Sequence, residues 1–152
     1  MGAVWPFLDN PWAPDPWRVH FGDRSNLLRE LILLDHLFPA PWRSSRFATT
    51  PFDHRLPYDL MTFGGWTRLL HLAAELLRYV GPGKISAEAI PMVGRFRDGN
   101  LYAPTLCEFL VADVLRPIGK LTSQPQHGRH GADYQVESAL GVLVGEVVAD
   151  GV

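Results

Sequence analysis

The hydrophobic period of this chain differs between its two ends, and that difference limits its fold more than any single motif. Three runs before Pro117 carry apolar side chains at helical spacing, whereas GKLTSQ, ADYQVES and GVLVGEVVA in the last third read as strands. From Ser25, the run SNLLRELILLDHLF is apolar at 27, 28, 31, 32, 34, 37 and 38, which predicts an amphipathic helix stopped by Pro39 and Pro41. A second helix is expected over Trp66 to Val80, burying Leu69, Leu70, Leu72, Ala73, Leu76, Leu77 and Val80 and ending at Gly81-Pro82-Gly83. A third, TLCEFLVADVLR, falls between Pro104 and Pro117. Helices first and strands last imply an α+β chain, in which an N-terminal helical part packs on a small C-terminal helix-plus-β-hairpin sheet.

Residues 1–22 hold three Trp and four Pro and read as an extended arm, since each Pro removes a donor and restricts its predecessor. Trp5, Trp12 and Trp17 either cover the flank of the domain's own core or anchor a partner. The stretch PAPWRSSRFATTPFDHRLP, 39–57, reads as a long loop. Residues 86–90 read as one helical turn, and VGRF, RDGN and LYA as a hairpin around Asp98-Gly99. The organisation expected is an arm (1–22), a helical subdomain (23–100) and an α-β-β part (101–152), together one compact unit.

Composition narrows the functional classes. A chain of 152 residues, 47% hydrophobic and 20% charged, is long enough for one buried core, so a disordered tail is excluded. A net charge of -2 provides no whole-chain basic field, so any contact with DNA must be local. The single cysteine, Cys107, makes no internal disulfide, and no run reaches the roughly 18 apolar residues of a membrane span. A cytoplasmic protein is expected. Lys84 and Lys120 are the only lysines beside twelve arginines, which restricts any mechanism that needs one.

The residues with most chemical content lie late in the chain. If the last hairpin turns between Ala139 and Leu140, cross-strand partners total 279 and Asp133 faces Glu146 with Cβ atoms roughly 4.5 to 5.5 Å apart. Two such carboxylates repel unless a cation lies between them, and Mg²⁺ is held by one or two carboxylates plus water and phosphate. A one-residue slip would place them on opposite faces. Glu108 in the preceding helix stands three residues after Thr105, at capping-box spacing, so it either bonds the Thr105 amide or supports a metal.

Glu108 in TLCEFL, Asp133 in HGADYQVE and Glu146 in VLVGEVVAD together resemble the restriction-endonuclease-like nucleases, whose motif is written PD-(D/E)xK. With Ser-Gln-Pro at 123–125, the pattern is most similar to the N-terminal endonuclease domain of heteromeric transposases. The resemblance covers about 50 residues and implies metal-dependent phosphodiester hydrolysis. Asp133 and Glu146 would hold Mg²⁺ or Mn²⁺, Glu108 would support it, and a lysine would position the attacking water. Position 148, the family's lysine, is Val here, and position 132 is Ala in place of Pro. The resemblance therefore implies either a decayed site or one that borrows positive charge from Lys120 or Arg129. The family's core also continues with a helix and a further strand, so a truncated version of the fold is a further expectation.

The loop Gln126 to Gly131 offers His127 and His130 as transition-metal ligands, with Asp133 as a third and Cys107 more distant, or as ordinary solvated residues. Arg129 between them is placed for phosphate, so Arg129, His127 and His130 form the expected nucleic-acid contact. Asp53-His54-Arg55 and Asp35-His36 lack a nucleophile or phosphate loop beside them, and His71 in the second helix reads as a core or boundary residue. Two functions follow from different classes: a nuclease-like domain acting on DNA, or a non-catalytic interaction subunit that docks onto protein partners or another copy of itself.

Overall fold

The computed structural model describes residues 28–49, 53–81, 83, 85–123 and 134–145. Over these residues it is an α+β chain of six helices followed by one antiparallel sheet. Helix α1 spans Leu28–Leu37 and buries Leu31, Leu33, Leu34 and Leu37. Its last carbonyls are closed by Arg97, whose Nε donates to Leu37 O at 2.8 Å and whose Nη2 donates to His36 O at 3.0 Å. A cation on exposed C-terminal carbonyls also complements the helix dipole.

The expected loop over 39–57 is overturned. Ala40–Thr49 forms α2 and Leu56–Met61 forms α3, with residues 50–52 between them outside the described set. Pro41 and Pro57 each stand in a first helical turn, where the amide they lack would have had no helical acceptor. Helix α4, Phe63–Val80, starts three residues before the expected Trp66. Thr62 caps it by accepting the Gly65 amide at 3.1 Å, and Gly81 ends it with a positive φ of 76°. Its buried stripe is Trp66, Leu69, Leu72, Ala73 and Leu76, joined by one charged residue, Glu75.

Ala87–Ala89 forms the expected single turn, here of 3₁₀ type. The hairpin expected around Asp98-Gly99 is replaced by helices on both sides, α5 at Val93–Arg97 and α6 at Tyr102–Leu115. Asp98 is the reason. Its Oδ1 accepts the Asn100 and Leu101 amides at 2.8 and 3.2 Å, and its carbonyl accepts Tyr102 N at 2.9 Å, so it launches α6 and does not turn a strand back. Pro104 consequently lies inside the first turn of α6 and not ahead of it.

Strands β1 (Lys120–Ser123), β2 (Tyr134–Ser138) and β3 (Gly141–Gly145) form a sheet in the order β1-β2-β3. β1 pairs Lys120 with Glu137 and Leu121 with Val136, then shifts register so that Ser123 meets Gln135. β2 and β3 pair Tyr134 with Gly145, Gln135 with Val144, Val136 with Leu143, Glu137 with Val142 and Ser138 with Gly141, each pair totalling 279.

Two buried clusters divide the interior. The larger joins α1, α3, α4, Ile90, Phe96 and the first half of α6, with Trp66, Phe38, Tyr102 and Phe109 as its bulkiest members. The smaller consists of Ala112, Leu121, Tyr134 and Val136, flanked by Val111 and Leu115. Helix α6 therefore lends Tyr102, Leu106 and Phe109 to the helical core and Ala112 to the sheet. Among the described residues, no helix is long and apolar enough to cross a membrane.

Candidate functional site

Helix α6 and the sheet bring the described members of the expected site into view. Glu108 lies one turn before Ala112, on the stripe of α6 that turns toward the sheet. Its carboxylate is held by Arg95 of α5, whose Nη2 donates to Oε1 at 2.8 Å and whose Nη1 donates to Oε2 at 3.3 Å. This two-point pairing of guanidinium and carboxylate leaves Glu108 only 12% exposed. The capping-box role is overturned. The Thr105 amide donates to Leu101 O at 3.0 Å inside α6, so it is not free for Glu108.

Lys120 is paired across the ladder with Glu137, and both are exposed on the sheet face opposite Leu121 and Val136. That is an ordinary opposite-charge cross-strand pair. Glu137 stands three residues along β2 from Tyr134, roughly 10 Å at about 3.3 Å per residue, so Lys120 sits at the turn end of the sheet. Asp133, Glu146, Arg129, His127, His130 and Val148 lie outside the described residues. The last described rung, Tyr134 with Gly145, is the one next to positions 133 and 146 in sequence. Among the described residues no three His, Cys, Asp or Glu side chains are placed to hold a metal ion.

Two buried carboxylates escaped the reading of the sequence. Asp59 of α3 is fully buried. It accepts from Tyr102 Oη at 2.7 Å and Arg68 Nη2 at 2.9 Å, with Arg55 Nε at 3.7 Å. Burial first, then the Asp59 charge, holds the Tyr102 hydroxyl well above its usual ionisation range. Glu75 of α4, also fully buried, is gripped by Arg116 through Nε at 2.8 Å and through Nη2, with Arg78 at 3.3 Å and Tyr79 Oη at 3.2 Å. Burial and the Glu75 charge raise Tyr79 to about 12, and the Glu75 hydrogen bonds raise Arg116. Each carboxylate thus has two arginines and a tyrosine. Charges so compensated lock helices together rather than stand ready for a substrate.

The histidines follow the same pattern. His54 is buried, and its Nδ1 accepts the Leu56 amide at 3.0 Å, so Nε2 carries the proton and donates to Phe96 O at 2.8 Å. Its ring lies 4.5 Å from that of Tyr102. Both nitrogens are committed to backbone, which excludes general-base work. His71 is not the core or boundary residue expected: it is exposed on α4 and pairs with Asp113 of α6 at 3.3 Å. Asp35 pairs with Arg43 at 3.5 Å.

Protein-family models, curated proteins and solved structures give no match to this chain. The site therefore stands on its own residues. The structure ties Glu108 to Arg95 and sets Lys120 at the far end of the sheet. Sequence signals for the missed carboxylates were faint: Asp59 follows Arg55 at an i, i+4 spacing, and Glu75 interrupts LAAELL.

Proposed function

We propose that α6 and the three strands form a metal-dependent, DNA-acting endonuclease-type unit, with Asp133 and Glu146 as its paired carboxylates. The observation that carries this reading is the β2–β3 register, constant at 279 through five rungs and leading to positions 133 and 146. A constant register keeps residues of one parity on one face, which the pairing of two carboxylates requires. A helix bearing an acidic residue precedes the meander, as the nuclease pattern asks. Asp133 and Glu146 would hold the divalent cation, which supplies a polarised water and charge neutralisation at phosphate. Carried on to 133 and 146, that parity would put the pair on the sheet face of Lys120 and Glu137, opposite the face on which α6 packs, so Glu108, bound to Arg95, would stand apart from the cation and not support it. Arg129, His127 and His130 would meet the DNA backbone.

The test is nicking of supercoiled plasmid by the purified chain with Mg²⁺ or Mn²⁺. Nicking that disappears in both Asp133→Ala and Glu146→Ala supports the reading, and nicking by the double variant, or none by the parent, refutes it. A second reading, a non-catalytic interaction subunit, is favoured by one observation: all five residues of β3 are exposed.

A further inference from the structure

Strand β3 is the open edge of the sheet among the described residues, and its sequence is Gly-Val-Leu-Val-Gly. Val142, Leu143 and Val144 are 59%, 54% and 58% exposed, and Leu140 beside them is wholly so. Edges of this kind are ordinarily guarded by charge, proline or a bulge. Positions 141 to 145 contain none of these: no charged residue, no proline, and an unbroken register with β2.

The strand also reads the same in both directions. Laid antiparallel on a second copy with Leu143 opposite Leu143, it matches Val142 to Val144 and Gly141 to Gly145 at every position. The hydrogen-bonding parity agrees with that register. Ser138 and Gly141 close a two-residue loop, so they must be the kind of pair that exchanges both bonds, because the other kind would require bonds between the adjacent loop residues. Alternation then turns the amides and carbonyls of Gly141, Leu143 and Gly145 toward β2, and those of Val142 and Val144 outward. In the self-pairing, Val142 meets Val144 of the other copy, outward groups against outward groups. A one-residue slip would set an outward residue against an inward one and lose the bonds.

We propose that two copies of this protein join through β3, antiparallel about a two-fold axis at Leu143, making one continuous six-stranded sheet. The partner is a second copy, because a two-fold axis at Leu143 sets Val142 against Val144 of the other strand, like side chain against like and outward backbone groups against outward ones. Symmetric pairing of one patch with itself is the commonest way in which soluble chains form dimers. This inference rests on β3 alone and stands apart from the nuclease reading, so the plasmid assay and the assay below fail separately.

Single cysteines introduced at 142, 143 and 144 of the full chain test it under mild oxidation, with cross-linked peptides mapped by mass to separate them from Cys107. Leu143→Cys is expected to cross-link to itself, because facing residues of a non-hydrogen-bonded pair lie within disulfide reach. Val142→Cys and Val144→Cys are expected to stay unlinked alone and to link when mixed. Equal linking at all three positions, or none at 143, overturns the proposal. In sedimentation velocity the parent should show dimer that dissociates on dilution, and Val144→Pro, which removes an outward amide and leaves the β2 ladder intact, should abolish it. A parent that is monomeric at every concentration also overturns it, and if Val144→Pro fails to fold, the cysteine series decides the matter.

Discussion

Replacing Gly65 by alanine sets two effects of opposite sign against each other, and the structure says which wins. Gly65 is in the first turn of α4, where helix propensity alone favours alanine by up to about 1 kcal/mol. A Cβ there would lie 2.1 Å from the carbonyl oxygen of Asp59, 2.3 Å from its Cα and 2.5 Å from its carbonyl carbon. These are backbone atoms, so α3 must move as a body by more than about 1 Å to restore ordinary contact. It would carry with it the Asp59 carboxylate, which holds Tyr102 at 2.7 Å and Arg68 at 2.9 Å, and Leu60 O, which accepts Trp66 Nε1 at 2.8 Å. Overpacking costs about 1–3 kcal/mol. The upper end applies where backbone must yield, leaving a net loss of about 2 kcal/mol after the propensity gain. For a chain of this size that lowers Tm by about 4–8 °C. Gly64 is the internal control, since its Cβ would meet only Arg68 Nη1, at 3.5 Å. Gly64→Ala should raise Tm by about 1–3 °C. Thermal melts followed by far-ultraviolet circular dichroism compare the two. A Gly65→Ala protein as stable as the parent, or a Gly64→Ala protein that loses as much, would refute the claim that α3 and α4 meet through a bare backbone.

Arg116→Ala should destabilise the fold by about 3 kcal/mol in denaturant titration, because buried Glu75 then keeps, among the described residues, the half-exposed Arg78 as its cationic partner. Arg116→Lys should recover part of that loss, since an ammonium cannot grip a carboxylate at two points. In alkali the sign is fixed by the tyrosines: Tyr79 keeps its proton to about 12 against an ordinary 10.0, so the folded state binds protons more tightly. Its stabilisation is complete below pH 10 and is lost as pH climbs from 10 to 12, with Tyr102 shifted in the same direction. Denaturant melts across that window should show a shallower decline for Tyr79→Phe than for the parent.

The sequence showed the long-period features and hid those that depend on distant partners. The helix ending at Val80 and the last hairpin were legible because each is decided by a local pattern: leucines at helical spacing closed by Gly81, and alternating residues around Ala139-Leu140. Helices α2 and α3 were not, because Pro41 and Pro57 look like breakers and serve as first-turn residues. Asp98-Gly99 carries a strong hairpin signal, yet the Asp98 side chain binds the amides that begin α6. The roles of Asp59 and Glu75 depend on Tyr102 and Arg116, 43 and 41 residues away, which no local window contains. Glu108 was read as a metal support or a helix cap; its pairing with Arg95 was hidden because Arg95 lay inside the segment read as a hairpin strand.

Helix α6 belongs to two cores, and this divides the chain's resistance to opening. Its first half is fixed among the large aromatic residues of the helical part, whereas among the described residues its second half joins the sheet through Ala112, Leu121, Tyr134 and Val136, flanked by Val111 and Leu115. Among the described residues the sheet has the smaller apolar stake, so it is expected to open at lower free energy than the helices. In native-state hydrogen exchange the amides of β2 and β3 would thus exchange through a partial opening that leaves Leu106 and Phe109 protected. The last turns of α6 would exchange with the strands and its first turns with the helices, so one continuous helix would report two separate unfolding events.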